Sequence, residues 1–161
     1  MDVTRDGQVD RVTFDEFVRV VEPALLQALV STYGLVDGRE ATVDALSWAW
    51  ERWDRLAEVS NKVGYLYRVG QTAVRGFASR HLELVGDQVA DAGFDAFDPA
   101  LVPALRGLSE QQRTAVVLVH GFQWSQTEVA DLFEVTVSTV REHLRRALDR
   151  LREQLEVSDA C

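Results

Sequence analysis

The sequence predicts an all-α protein in which an acidic linker joins two small helical domains. Three observations predict this class: signals for helix starts recur, the alternation typical of strands is scarce, and one segment between the halves lacks sustained periodicity. We place the domains at residues 13–81 and 104–157 and the linker at 82–103. Apolar residues make up 47% of the 161 positions, which is enough for packed cores.

Three helices are predicted in the first domain. Thr13 and Glu16 have the spacing of a capping box, which marks the start of the first helix. Pro23 is expected to break or kink this helix, and Gly34 is expected to end it. The second helix is expected over about 38–56 and the third over about 61–80. Their predicted buried faces are Leu46, Trp50, Trp53 and Leu56 in the second helix and Leu66, Val69, Ala73 and Phe77 in the third.

The second helix carries two further signals. Asp37 is a predicted N-cap of this helix, as Ser60 is of the third. Trp48 lies about 160° around the helix from Leu46. It is therefore predicted to be half-exposed or to anchor an interface, where tryptophan is enriched.

Capping boxes also mark helix starts in the second half of the chain. The first pairs Ser109 with Gln112, and the next pairs Ser125 with Glu128. A last box begins at Thr139, although Ser138 competes with it as the N-cap of that helix.

Residues 124–152, WSQTEVADLFEVTVSTVREHLRRALDRLR, have the pattern of a helix-turn-helix. Ala130 is the small residue that lets the two helices approach, and Val140 anchors the second helix ten positions later. The other predicted core positions are Val129, Phe133, Val137, Leu144 and Leu148. Glu134 stands where glycine is usual. Because a left-handed residue other than glycine costs roughly 1 kcal/mol, the turn is expected to be tighter or distorted.

The net charge of −9 is distributed unevenly. Residues 82–103 contain five acidic residues and no basic one, whereas residues 138–152 contain five arginines against Glu142 and Asp149. Phosphate binding responds to charge within about 8–10 Å rather than to the total. The local basic excess therefore favours nucleic-acid binding by an acidic chain.

The second helix of the motif is predicted to point its polar residues away from the core. Its N-terminal end is where such helices reach base edges, so Arg141 is a candidate for a guanine edge or a phosphate, and Glu142 for a cytosine amino group. The start of the supporting helix, 125–127, favours a phosphate. The alternative is that these arginines only solvate an amphipathic helix.

The sequence contains no pattern typical of an enzyme. Its histidines, His81, His120 and His143, lack metal-ligand spacing, and there is no glycine-rich phosphate loop or nucleophile–base motif. We expect no catalytic residue, no metal and no cofactor. Cys161 is the single cysteine, and no signal-peptide core or apolar run of about 18 residues is present. A cytoplasmic protein without membrane insertion is therefore expected.

The two-domain layout and these motifs together resemble the extracytoplasmic-function sigma factors of bacterial RNA polymerase, which keep only the second and fourth conserved sigma regions. The resemblance covers roughly 13–81 and 101–155. It is strongest in LRGLSEQQRTAVVLVHGFQWSQTEVADLFEVTVSTVREHLRRALDRLR (105–152) and is also seen in AWERWDRL (49–56) and YLYRVGQTAV (65–74). It implies a protein that binds core RNA polymerase and directs promoter-specific transcription initiation.

The resemblance implies roles for three sets of residues. The minus-thirty-five set is Ser125, Gln126, Thr127, Ser138, Thr139, Arg141, Glu142, His143, Arg145 and Arg146. The set for the melted minus-ten strand is Asn61, Lys62, Tyr65, Arg68, Gln71, Thr72, Arg75 and Arg80. The polymerase-binding set is Asp44, Ser47, Trp48, Glu51 and Arg52. The implied partners are core RNA polymerase, promoter DNA and an anti-sigma factor.

The chain departs from the family pattern in three places. EATV (40–43) replaces an Asp-Leu-Val-Gln-like stretch, Tyr65 replaces the usual tryptophan, and only Arg75, Arg80 and His81 form the basic cluster. Two alternatives stay open, and these departures motivate the first of them. One is a sigma-like protein that docks on polymerase or an anti-sigma partner without efficient initiation, and the other is a dimeric helix-turn-helix regulator. The acidic linker either suits a basic polymerase channel or is a solvated tether that keeps free protein off DNA.

Overall fold

The computed structural model describes residues 3–81 and 100–159, in which all regular structure is helical. The helices are α1 (Val3–Tyr33), α2 (Leu35–Glu51), α3 (Trp53–Ala57), α4 (Lys62–His81), α5 (Leu101–Arg106), α6 (Glu110–Val116), a π-helix (Val117–Gly121), α7 (Gln126–Phe133) and α8 (Val137–Asp159). The all-α class is confirmed. Residues 82–99 of the predicted linker and Cys161 lie outside the described residues, while 101–103 already belong to α5.

The first helix is longer than the sequence predicts. α1 runs continuously through Pro23, so the predicted break is absent, and the Thr13 capping box lies inside the helix rather than at its start. Pro23 is exposed, so water can satisfy the carbonyl group that loses its partner, while buried Val21 and Leu25 anchor the helix on either side. Gly34 ends α1 as predicted, with a φ of 89° and its N–H donating to the Val30 carbonyl at 2.8 Å.

Small residues form the buried face of α2. These are Gly38, Ala41, Thr42, Ala45 and Ala49. A Cβ atom built on Gly38 would lie 2.6 Å from the Cα of Val30, so α1 and α2 are in backbone contact. The predicted buried face of the second helix was therefore wrong at Trp50, which is 44% exposed, although Leu56 is buried. The helix also ends at Glu51, and the backbone turns at Arg52 before α3 begins.

The predicted N-caps of α2 and α4 and the predicted buried face of α4 also need correction. Gly34 holds the N-cap position of α2, and Asp37 lies within the first turn. Asn61 rather than Ser60 caps α4, because its Oδ1 accepts the Gly64 N–H at 3.0 Å. The buried residues of α4 include Leu66, as predicted, together with Tyr67, Gly70 and Val74. Val69 and Ala73 are half-buried, and the side chain of Phe77 lies outside the described part.

The helix-turn-helix forms as predicted. Ala130 and Val140 are buried at its centre, and the Ser109 and Ser125 capping boxes are both present. Glu134 adopts the left-handed conformation itself, with φ 54° and ψ 46°, so the turn keeps its usual geometry without glycine. The start of α8 differs, because the Thr136 hydroxyl accepts the Thr139 N–H at 3.2 Å, and neither Ser138 nor Thr139 is the cap.

The N-terminal unit, α1–α4, packs against the C-terminal unit, α5–α8. α1 contacts α6, and α4 contacts α7. Buried residues of both units belong to one hydrophobic cluster, which includes Leu29 and Leu66 from the first and Leu118 and Leu132 from the second. None of the helices in the described part of the chain has the length and apolar character needed to span a bilayer.

Candidate nucleic-acid interface

The exposed side of the helix-turn-helix brings together residues from both of its helices. Ser138, Thr139 and Arg141 are exposed in the first turns of α8. The Nε of Arg141 donates to the Oε1 of Gln126 on α7 at 3.1 Å. This bond leaves the terminal amino groups of the guanidinium available for a base edge or a phosphate oxygen. Two residues predicted to act together, fifteen positions apart, are therefore adjacent.

Glu142 forms ion pairs with two arginines on α8. Its carboxylate accepts from Arg145 at 2.8 Å and from Arg146 at 2.7 Å, and Arg145 also pairs with Asp149 at 3.0 Å. The hydrogen bonds from Arg145 and then Arg146 lower the pKa of Glu142 to about 2, so it is ionised at neutral pH. Part of the local basic excess is thus neutralised within the helix, and the predicted acceptor for cytosine is occupied in the free protein.

We expect Glu142→Gln to strengthen binding to non-specific duplex DNA by about two- to five-fold, because it removes the anion that pairs with Arg145 and Arg146. The measurement is fluorescence anisotropy across a salt series. Glu153→Gln, an exposed acid further along α8, is the matched control for net charge. Equal gains in the two variants would show that the local ion pairs do not restrain the arginines.

The start of α7 is less open to a phosphate than predicted. The Ser125 hydroxyl accepts the Glu128 N–H at 3.1 Å, and the Glu128 carboxylate accepts the Ser125 N–H at 2.7 Å. These bonds use two of the helix-end N–H groups and place a negative charge beside them. Thr127 is exposed at this end, whereas Gln126 is half-buried and bonded to Arg141.

Tyr65 on the exposed side of α4 packs against Trp48, which in turn contacts Arg52. Tyr65 is 37% exposed, and its ring lies 5.4 Å from that of Trp48. The guanidinium of Arg52, which follows directly after α2, lies 5.0 Å from the centre of the Trp48 ring. Trp48, predicted to bind polymerase, therefore contacts Tyr65, which is predicted to bind the minus-ten strand. Arg52, also predicted to bind polymerase, contacts Trp48. Trp48 is half-buried, as one reading of its helical position predicted.

The other predicted minus-ten residues divide into two groups. Arg75 and Thr72 are exposed on α4, and the Nζ of Lys62 donates to the Val59 carbonyl at 2.7 Å. The second group contacts the C-terminal unit and consists of Asn61, Arg68 and Gln71. The side chain of Arg80 lies outside the described part.

An apolar stripe on the outer face of α2 was missed in the sequence. Val36, Val43 and Trp50 recur every seven residues and are 65%, 63% and 44% exposed. The predicted polymerase-binding residues Ser47 and Glu51 are exposed on the same side of the helix. The seven-residue spacing was a readable signal, but assigning Trp50 to the core concealed it.

The fold and this interface define a class: an all-α DNA-binding protein with a C-terminal helix-turn-helix whose second helix exposes arginines. Residues 100–151 match the family described as Sigma-70, region 4. The RNA polymerase sigma-E factor of Streptomyces avermitilis is 36% identical over 155 residues, covering 91% of this chain and 87% of that protein. That of Streptomyces antibioticus is 34% identical over 165 residues, covering 95% and 90%. The chain belongs to the extracytoplasmic-function sigma factors of RNA polymerase.

A solved structure has the same fold. It is the sigma factor RpoE of Bartonella quintana in complex with the anti-sigma factor NepR, at 23% identity and a TM-score of 0.63, covering 90% of this chain and 98% of that one. As a sigma factor, the chain directs promoter-specific transcription initiation, and a dimeric regulator is not favoured. Sigma factors are not enzymes, which agrees with the absence of an enzyme-like pattern in the sequence.

Proposed function

We propose that the two units divide promoter recognition, with α8 reading the minus-thirty-five element and α4 holding the melted minus-ten strand. The outer face of α2 docks on core RNA polymerase. The observation that carries this proposal is the cluster of exposed arginines on α8, beside the exposed start of the helix-turn-helix, in a chain of net charge −9. Cytoplasmic localisation follows from a role with RNA polymerase. The complex of RpoE with NepR supports an anti-sigma factor as a further partner.

Reading by α8 depends on the side chains at its N-terminal end. Ser138, Thr139 and Arg141 are exposed there, and Arg141 is oriented by Gln126. A guanidinium fixed in this way loses less conformational freedom when it forms a bidentate contact with guanine. Arg145 and Arg146 lie one turn further on, where they contribute phosphate contacts once Glu142 releases them.

Strand capture by α4 depends on Tyr65. An exposed aromatic ring backed by a second ring is a platform on which an unstacked base packs, at about 1–3 kcal/mol per base in single-strand binders. Arg75 is exposed two turns or more along the same helix and supplies positive charge for the backbone. Arg52 and Trp48 act as positioning residues for Tyr65 in this proposal.

Docking on polymerase depends on the apolar stripe of α2. An exposed row of apolar side chains on a folded helix marks a protein interface, and tryptophan is a frequent centre of such interfaces. Asp44, Ser47 and Glu51 border the stripe and supply polar contacts at its edge. In this proposal Trp50, rather than Trp48, is the tryptophan that contacts polymerase.

We expect Val43→Lys to weaken the complex with core polymerase by about three- to ten-fold, because it places an unpaired charge in the apolar stripe. Val20→Lys is the matched control, since Val20 is also exposed but lies on α1. Affinities come from titration of labelled chain with core polymerase, and thermal melting confirms that both variants fold. Equal affinity for the two variants would remove the stripe from the interface.

The whole proposal is tested by co-elution of the purified chain with bacterial core RNA polymerase on a sizing column, followed by transcription from genomic promoter fragments. The expected result is a one-to-one complex that initiates at a defined set of promoters. A chain that joins polymerase without initiating would be a docking protein. A chain that elutes as a dimer and ignores polymerase would be a stand-alone regulator.

A further inference from the structure

We infer that a cavity at the C-terminal end of α1 is a binding site for a small amphipathic carboxylate, a molecule with an apolar body and one negative charge. The cavity has a volume of about 250 Å³ and lies where the end of α1 meets α5, α6 and the π-helix. Among the described residues, none from α4, α7 or α8 lines it. The site is therefore separate from the surfaces proposed to bind DNA, and the inference does not depend on the proposed function.

The walls of the cavity are apolar side chains that packing leaves incompletely covered. Val30, Leu105 and Val117 are half-buried, and Phe122 is 40% exposed. The Phe122 N–H donates to the Val117 carbonyl at 3.1 Å, the five-residue bond of a π-helix, so these two wall residues are held one turn apart. An apolar ligand between these side chains would remove their exposed surface from water, which favours its binding.

Two arginines give the cavity a positive edge. Arg113 is half-buried on α6, and its Nη2 donates to the Thr32 carbonyl at 2.9 Å. Arg106 is exposed at the end of α5. Acidic residues outnumber basic ones by 26 to 17 in the chain, yet neither arginine forms an ion pair within the part that the structure describes. The remaining N–H groups of Arg113 can therefore bind a carboxylate through charge-assisted hydrogen bonds.

The hydroxyl groups at the cavity already have partners. The Ser31 hydroxyl donates to the Gln27 carbonyl at 2.6 Å. The Tyr33 hydroxyl donates to the Glu110 carboxylate at 3.0 Å, and burial together with Glu110 raises the pKa of Tyr33, so this group stays neutral. A ligand therefore meets one kind of free polar partner, the two guanidinium groups, and needs a single anionic group to bind them.

The size and polarity of the cavity together set the class of ligand. Pockets for drug-sized molecules begin at about 300 Å³, so this cavity suits a ligand of about ten to twelve non-hydrogen atoms. A sugar or nucleotide has many hydroxyl groups, which the apolar walls would leave unpaired. An aliphatic or aryl-substituted carboxylate instead places its chain between the apolar side chains and its charge at Arg113. A ligand of this size is expected to bind with a Kd of about 0.1–1 mM.

The first test compares a carboxylate probe with its neutral amide. Phenylbutyrate and phenylbutyramide share the same ring and chain and differ in charge, and each is titrated into the full chain by calorimetry. We expect saturable binding of the carboxylate and at least about five-fold weaker binding of the amide. Methyl resonances of labelled valine locate the site. Those of Val30 and Val117 should shift, whereas those of Val20, which is 78% exposed elsewhere on α1, should not.

The second test removes the charges of the cavity one at a time. Arg113→Met keeps an unbranched apolar stem and should weaken phenylbutyrate binding by at least about five-fold. Because Arg113 also bonds to the Thr32 carbonyl, thermal melting checks that this variant folds. Arg106→Met changes an exposed side chain and should weaken binding by about two- to three-fold without affecting folding. Arg150→Met, which removes an exposed arginine of α8 outside the cavity, is the matched control and should bind like the wild-type chain.

Several results would overturn the inference. One is the absence of saturable binding up to about 10 mM probe, and another is equal affinity for the carboxylate and the amide. Wild-type affinity in a folded Arg113→Met chain would show that the charge is bound elsewhere. Binding that appears only when Phe94 and Phe97 are both replaced by serine would show that the chain's own side chains fill the cavity. Failure of the chain to join polymerase would leave the inference intact, because none of these measurements uses polymerase or DNA.

Discussion

Replacing Gly38 with alanine should lower the free energy of unfolding by about 3 kcal/mol, since the added methyl group meets backbone rather than a movable side chain. The nearest atoms are the Cα and N of Val30 at 2.6 Å and the carbonyl carbon of Leu29 at 2.8 Å. α1 and α2 must move apart to admit it, and the core between them loosens. Chemical denaturation of the purified chain measures the effect.

Gly76→Ala is the matched control for Gly38→Ala. Gly76 lies in α4, where an added Cβ meets nothing within 4 Å. The same substitution there should raise stability by roughly 0.5–1 kcal/mol, because alanine favours helix over glycine. If Gly38→Ala also stabilised the chain, the two helices would not be in backbone contact.

Replacing Arg141 with alanine should reduce affinity for a minus-thirty-five duplex by about 10- to 100-fold, or roughly 1–3 kcal/mol, since it removes a bidentate base contact. The residue is exposed and its bond to Gln126 lies on the surface, so folding should be nearly unchanged. The measurement is competition between promoter and scrambled duplexes at fixed salt, once promoters are known from the transcription experiment.

Arg150→Ala distinguishes reading from simple charge. Arg150 is exposed on the same helix but lies nine residues further from its N-terminal end. Its loss should weaken promoter and scrambled duplexes alike, and only slightly. If Arg141→Ala behaved in the same uniform way, Arg141 would be a phosphate contact rather than a reader of bases.

Local signals explain why the helices of the C-terminal unit were predictable. The Ser109 and Ser125 capping boxes satisfy N–H groups within three residues, so their spacing alone fixes two helix starts. The small residue Ala130 and the apolar Val140 are likewise predictable, because two adjacent helices must pack closely at these positions. The N-cap of α8 escaped prediction because three neighbouring hydroxyl residues compete for it, and Thr136 is the one that bonds to the Thr139 N–H.

The packing of α2 was harder to read because its buried face is weakly hydrophobic. Ala45 and Ala49 are completely buried. Alanine is much less hydrophobic than tryptophan, so the sequence pattern placed Trp50 in the core. Trp50 instead makes an edge-to-face contact with Phe14, with the ring centres 4.9 Å apart, and stays 44% exposed. The turn at Arg52 also interrupts the helix between Glu51 and Trp53, although the apolar periodicity of the sequence continues through Leu56.

The candidate site was predictable in its residue types and not in its pairings. The arginines of α8 follow from helical spacing, whereas the grouping of Tyr65 with Arg68 is implied by the resemblance to the sigma family. Bonds such as Arg68 to Glu134 join positions 66 residues apart, and no local pattern indicates which distant acceptor a side chain will meet.

The small inner face of α2 has a consequence for how this protein can diverge. Gly38, Ala41 and Ala45 face backbone or tightly packed atoms, so nearly every replacement there is penalised by folding itself. Val36 and Val43, on the opposite side of the same helix, are 65% and 63% exposed. Substitutions on the outer side therefore change an exposed surface without loss of folding, whereas substitutions on the inner side lower stability. Duplicated copies of such a gene would keep one architecture and drift apart in which polymerase or inhibitor they prefer.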